Sequence, residues 1–277
     1  MGTLYIVPTP IGNLEDITLR ALRVLREVRL IAAEDTRTTR ILLQHYGIAT
    51  PTTSYHEHNR LTKLDAIFAA LEAGDVALVS DAGMPGISDP GMELIQAAIR
   101  AEVTLVPLPG ANAALTALVA SGLPTDRFRF AGFPPRKPNP RRDFLVGIRQ
   151  ESDTLILYES PNRAVDLLRD IVEVMPGRQV CAARELTKLY EQFVRGPVED
   201  VLAYFEAHEP RGEFVIVLGG APAEHSGPWD EAAVTDALRQ RLAAGDRTKD
   251  AAQAVALAAG WDRRAVYTLA LTLRDSR

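Results

Sequence analysis

A single cysteine, Cys181, stands in the 277 residues, so the chain can close no internal disulfide and build no multi-cysteine metal cage. A reducing cytoplasm is the compartment that fits. No stretch approaches the ~18–20 consecutive apolar residues of a membrane helix, and the first apolar run, LYIV, is stopped by Pro8 and Pro10. Neither a membrane span nor a secretory leader is expected. Ile6 stands where a myristoylation signal needs Ser or Thr. The sequence also lacks G-x-G-x-x-G and G-x-x-x-x-G-K-[ST], the glycine patterns that cradle nucleotide phosphates. It lacks a basic excess: 31 Lys and Arg face 36 Asp and Glu, whereas nucleic-acid-binding chains usually carry a basic footprint. What is present, 47% hydrophobic and 24% charged residues, suffices for packed cores and argues against disorder.

The distribution of charge says more than its sum. Residues 127–142, RFRFAGFPPRKPNPRR, hold six basic side chains and no acidic one, interleaved with Phe128, Phe130 and Phe133. Two readings stay open for this run: a patch that contacts phosphates, or a solvated Pro-rich loop.

Short β-branched runs alternate with helical periodicity from the start: LYIV, then Leu19, Leu22, Leu25 and Val28, then LIAA, then TTRILLQHY. A helix over 60–73, the strand VALVS, a Gly/Pro loop, a helix over 91–101, the strand VTLVP and a helix over 112–120 continue the pattern. This alternation predicts a mainly parallel sheet covered by helices, with ligands where loops leave the carboxyl ends of strands. The Gly- and Pro-bearing stretch 121–128 marks a boundary. A second α/β run follows, with strands TLILYES, QVCAARE, YEQFVRG and FVIVLGG and helices near 162–174 and 198–207. After a Pro/Gly linker over 221–230, three short helices are expected, with Thr248 and Asp262 as N-caps and Gly260 as a stop. The expected fold is therefore α/β: domains over 1–121 and 122–222 with a cleft between them, and a linker with a small helical module over 223–277.

Four loops after strands bring glycine or proline where a backbone must approach a ligand: VPTPIGN, SDAGMPGISDPG, PLPGANAA and RGEFVIVLGG. The prolines in the second predict a fixed shape rather than a flexible linker. These loops, in this order and over about residues 1–220, resemble the tetrapyrrole methylase family of S-adenosylmethionine-dependent methyltransferases. LYIVPTPIGNLEDITLRAL, AAEDTRTTRILLQHYGI, SYHEHN, LPGANAALTAL, FAGFPPRK, YESPNR and ARELTKLYEQFVRG are similar to the branch of that family that methylates the ribose 2′-oxygen of a cytidine in small-subunit (16S) ribosomal RNA. Members acting on porphyrinoids open with a GxGxGD-like loop; VPTPIGN stands here instead, which favours RNA. A tetrapyrrole C-methyltransferase and a non-catalytic RNA-binding assembly factor are the alternative readings.

The resemblance implies S-adenosylmethionine as cofactor, held by Pro10, Ile11 and Gly12, by Ser80, Asp81, Ala82, Gly83 and Met84, by Pro109, Gly110 and Ala111, and by Tyr158, Glu159, Glu213 and Phe214. Tyr158 is as readily an ordinary strand aromatic. A ribose hydroxyl is a weak nucleophile, so a general base or an alkoxide-stabilising cation is expected. Glu34, Asp35, Glu185 and Lys188 are the catalytic candidates, with His56 beside them. Asp35 could instead cap a helix, and Glu185 could simply pair with Lys188. His56 and His58 have no ligand partners at useful spacing, so no metal is expected. RNA contact falls on Arg37, Arg40, His56, Asn59, Arg60, Arg136, Lys137 and Arg163. The implied partners are small-subunit RNA, in an assembled particle, and a second copy of the chain.

Overall fold

A computed structural model describes residues 1–56, 60–221, 229–243 and 246–275. The chain divides into two compact units, Met1–Ala221 and Pro222–Arg277. In the larger unit the first half runs β1 (Leu4–Ile6), α1 (Leu19–Glu27), β2 (Leu30–Ala33), α2 (Thr36–His45), β3 (Thr52–Ser54), α3 (Arg60–Ala73), β4 (Val76–Val79), α4 (Met92–Arg100), β5 (Leu105–Pro107) and α5 (Ala113–Ser121). Its five strands are all parallel in the order β3-β2-β4-β1-β5. Every residue of β4 is buried, as expected of a parallel strand covered on both faces. The order sets the carboxyl ends of β4, β1 and β5 side by side, so three of the Gly/Pro loops emerge at one edge.

The second half runs β6 (Phe128–Gly132), α6 (Pro138–Ile148), β7 (Thr154–Glu159), α7 (Pro161–Val174), β8 (Gln179–Arg184), β9 (Gln192–Pro197), α8 (Val198–Ala207) and β10 (Phe214–Leu218). Its sheet is mixed, ordered β6-β7-β10-β8-β9 with only β6 and β7 parallel. The α/β architecture expected from the alternation is therefore present in both halves. The smaller unit holds α9 (Glu231–Ala243), α10 (Thr248–Ala259) and α11 (Arg263–Asp275) around Val234, Leu238, Val255 and Val266. Among the described residues no helix is long and apolar enough to cross a membrane.

Three expectations need correction. Leu19 is 86% exposed, because the buried stripe of α1 is Ala21, Leu22, Val24 and Leu25, following the Thr18 hydroxyl that caps Ala21 N at 3.0 Å. Thr248 does not cap α10; Arg247 occupies that position and makes no side-chain cap, whereas Asp262 does cap α11 by accepting from Arg264 N and Ala265 N, and Gly260 ends α10 with φ 66°. The basic run 127–142 is a Pro-rich loop only over 133–137. Its start is β6 and its end opens α6, where Pro138 fits the first helical turn because its missing N–H would be unpaired there anyway. Of its six basic residues, four are already paired: Arg127 with Asp153, Arg129 with Glu151, and Arg141 and Arg142 with Asp170. Arg136 and Lys137 stand exposed between them.

Candidate active site

The parallel-sheet loops are locked to one another before any ligand arrives. Thr9 and Gly83 exchange backbone hydrogen bonds of 3.0 and 2.9 Å, and the Thr9 hydroxyl donates to Ser80 O at 3.0 Å. A Cβ on Gly110 would come within 2.8 Å of the Pro8 ring, and one on Gly12 within 2.9 Å of Leu186 O; both loops pack closer than any side chain allows. Tyr158 ties the halves together. Its hydroxyl accepts from Ala114 N at 3.1 Å, at the start of the helix that Asn112 caps, while its ring meets Phe130 and Phe133 edge-on.

Between these loops and the strands β7 and β10 lies a cavity of about 460 Å³, within the range of small-molecule sites. From the first half, Ile11, Ala82, Gly83 and Met84 line it, joined by Ile87, Ser88, Asp89, Asn112 and Ala113. From the second come Tyr158, Glu159, Glu213 and Phe214, with Phe133, Ser160, Pro161, Leu186 and Val215. The structure thus brings eight of the residues assigned to the cofactor onto one lining. Pro10, Gly12, Ser80, Asp81, Pro109, Gly110 and Ala111 are not on that lining; Ser80, buried, turns its hydroxyl to Gly83 O at 3.3 Å. Glu159 is buried, and its Oε2 has no hydrogen-bond partner among the described residues. An orphaned buried acceptor in this wall suits a ligand that brings hydroxyl or amino donors, and the adenosine part of S-adenosylmethionine has both.

The acids divide by what faces them. Glu159 is held by Arg163 and by Ser160 N. Glu185 and Glu213 share Lys188 at 2.8 and 3.2 Å, and the Lys188 hydrogen bond holds the Glu185 carboxyl below its usual range. Gly212 permits this approach, since a Cβ there would fall 2.2 Å from the Glu185 carboxyl. The turn is strained: Glu185 and Thr187 have φ of 50° and 64°, conformations that non-glycine residues rarely adopt. Asp35 caps α2 through Arg37 N at 2.8 Å and also grips the Arg37 side chain, a hydrogen bond that brings it down to about 2. Glu34 and Asp81 interlock differently. Asp81 N donates to Glu34 at 3.2 Å and Asp35 N to Asp81 at 3.1 Å, and burial pushes both carboxyls up.

Asp89 is the cavity residue that the sequence reading passes over. Burial, followed by the charge of Glu34, pushes its carboxyl up to about 7, against the opposing hydrogen bond of Ser80. The signal available was the SDPG that ends the same loop. Of the residues assigned to RNA, Arg37 is bound to Asp35 and Arg163 to Glu159. Arg40, Arg136 and Lys137 are exposed, and His56 is half-buried near Glu34. Arg60 opens α3, and Asn59 lies outside the described residues.

Residues 3–202 match the family described as Tetrapyrrole (Corrin/Porphyrin) Methylases. The chain is 47% identical to the ribosomal RNA small subunit methyltransferase I of Synechocystis over 99% of both chains. To the protein of that name in Escherichia coli O157:H7 it is 48% identical over 98% of this chain and 95% of the other. Among solved structures it resembles a uroporphyrin-III-C-methyltransferase from Thermus thermophilus with a TM-score of 0.56 and 23% identity, over 80% of this chain and 95% of that one, a likeness of fold. A related Thermus thermophilus structure, TM-score 0.54 at 20% identity over 79% of this chain and 98% of that one, is complexed with S-adenyl homocysteine. The chain belongs to the tetrapyrrole methylase family, alongside the ribosomal RNA small subunit methyltransferase I proteins that it matches from end to end.

Proposed function

We propose that the chain transfers a methyl group from S-adenosylmethionine to the ribose 2′-hydroxyl of a cytidine in 16S ribosomal RNA. The observation that carries this reading is the reach of the similarity. The family match ends at residue 202, whereas relatives named for small-subunit ribosomal RNA align over 99% and 98% of the chain. The donor supplies an electrophilic methyl whose departure leaves a neutral thioether, so holding the reacting atoms in line accounts for much of the acceleration. Ile11, Met84, Phe214 and Val215 would exclude water, and Glu159 Oε2 would accept from the donor's adenosine part. Arg40, Arg136 and Lys137, exposed, would meet RNA phosphates and position the substrate without reading its sequence. Arg163 serves the wall by neutralising Glu159.

A ribose buried in folded RNA must be presented to the cavity, so an assembled small subunit is the expected substrate. The chain is expected to act in the cytoplasm, and as a homodimer; exposed Leu115, Val119, Leu189 and Tyr190 offer apolar surface for a second copy, and light scattering over a range of concentrations would show the doubled mass. The function itself is tested by incubating methyl-labelled donor with small subunits, naked ribosomal RNA or a porphyrinogen, then digesting and identifying the labelled nucleoside. Label in 2′-O-methylcytidine is the expected result. Label on the porphyrinogen alone, or RNA retention without transfer at saturating donor, would overturn it.

A further inference from the structure

We propose that Asp89 is the catalytic proton acceptor for the attacking ribose hydroxyl, an inference that rests on the function proposed above. Asp89 lines the cavity, and its backbone is fixed from both sides. Ser88 before it takes φ 63°, and Gly91 beyond Pro90 takes φ 144° where a Cβ would lie 3.1 Å from Leu78. A loop held in such a sparsely populated conformation sets the direction of its side chain.

Glu34 and Asp81 lie off the cavity lining and accept backbone N–H bonds from Asp81 and Asp35, and the remaining carboxylates near the cavity are in ion pairs. Glu159 is held by Arg163, Glu213 and Glu185 by Lys188, and Asp35 by Arg37. A carboxylate that already holds a cation in an ion pair is less open to take a proton from a substrate hydroxyl. Among the described residues no arginine or lysine pairs with Asp89. The groups that face it are Glu34 from the loop after β2, Asp81 and the Ser80 hydroxyl from the start of its own loop, and Tyr158 from β7. Behind them, Arg37 lies toward Asp81 and His56 toward Glu34. Two like charges and burial leave this carboxyl half-ionised near neutrality, at about 7, where a general base works best. In the step, the ribose O2′ forms its bond to the methyl carbon as the sulfur–methyl bond breaks. The S–C electron pair stays on sulfur, and the O2′ proton passes to the Asp89 carboxylate, from which water later removes it.

The test compares wild type, Asp89→Asn and Asp89→Glu. Donor affinity is measured by calorimetry, and methyl transfer to small subunits from pH 5.5 to 9. The Asp carboxyl signals of the wild type, assigned with the Asn variant, are titrated by 13C NMR. Asp89→Asn should bind donor within about 3-fold of wild type, lose about 10²–10³-fold in kcat, and lose the rise in rate that wild type shows through about pH 7. Asp89→Glu should keep that rise at reduced rate, and the Asp89 signal should titrate near 7. A kcat for Asp89→Asn within 3-fold of wild type, a surviving rise, a carboxyl titrating near 4, or a loss of donor affinity as large as the loss of rate would each overturn the assignment. Wild type that binds donor yet labels no small subunit would overturn both the assignment and the proposed function, an outcome visible before any variant is made.

Discussion

The two walls of the cavity are built by opposite means. The first-half wall is largely backbone, loops zipped at Thr9–Gly83 and pressed together at Gly110 and Pro8, and its acid Asp89 is repelled by Glu34 and Asp81 behind it. The second-half wall is made of strand side chains, and its acids Glu159 and Glu213, with Glu185 behind them, each meet a cation. Ion pairs thus run through the second wall. On the first, the Asp89 carboxyl, pushed up to about 7 by burial, can change its charge near neutral pH, which suits proton transfer.

The largest expected effect would break the second wall. Arg163→Ala leaves the fully buried Glu159 side chain without its cation, a change that costs about 3–5 kcal/mol, so chemical or thermal unfolding should show a strongly destabilised variant. Full stability in that variant would mean that the pair is not structural. On the first wall, Gly110→Ala forces a Cβ into the Pro8 ring; such overpacking costs about 1–3 kcal/mol, and calorimetry should find donor binding weakened by roughly tenfold or more. Asp35→Ala removes the α2 cap, which should lower the melting temperature slightly, and should leave the pH dependence of transfer in place. If it erased that dependence, the division between paired and repelling acids would fail.

The smallest effect concerns pH and stability. Asp89 sits above its unfolded value of 3.8, at about 7, so the stability it contributes is complete below about pH 4 and is lost as pH rises through about 7. Solvent screening of a partly buried carboxyl cuts that loss well below its full linkage value; Asp89→Asn removes it, and at pH 8 it should melt a few degrees higher than wild type. At pH 4 the two should melt together. An equal difference at both pH values would show that titration is not its cause.

Much of the fold is legible in the residues. LYI, LIAA and VALV read as strands because parallel strands covered on both faces need continuous apolar runs. Stretch 127–142 misleads because its composition shows charge but not partners. Asp170, which neutralises Arg141 and Arg142, lies 28 residues or more away in sequence, and only α6 packed on α7 brings them together. The glycine and proline loops announce a site, yet they cannot say which of their residues face inward. Ser80 and Gly110 serve packing while Ser88 and Asp89 reach the cavity. For Asp89 the SDPG signals a turn but not a charge state, since that comes from burial and from Glu34 and Asp81, which the fold sets beside it.

The most direct measurement is a crystal structure of the wild type with S-adenosylhomocysteine and a cytidine-bearing oligonucleotide. The cofactor should lie in the cavity between Ile11 and Met84 on one side and Tyr158 and Phe214 on the other, its sulfur facing a ribose O2′ within hydrogen-bond reach of Asp89. Cofactor seated elsewhere, or an O2′ nearest to a carboxylate of the second wall, would contradict the account.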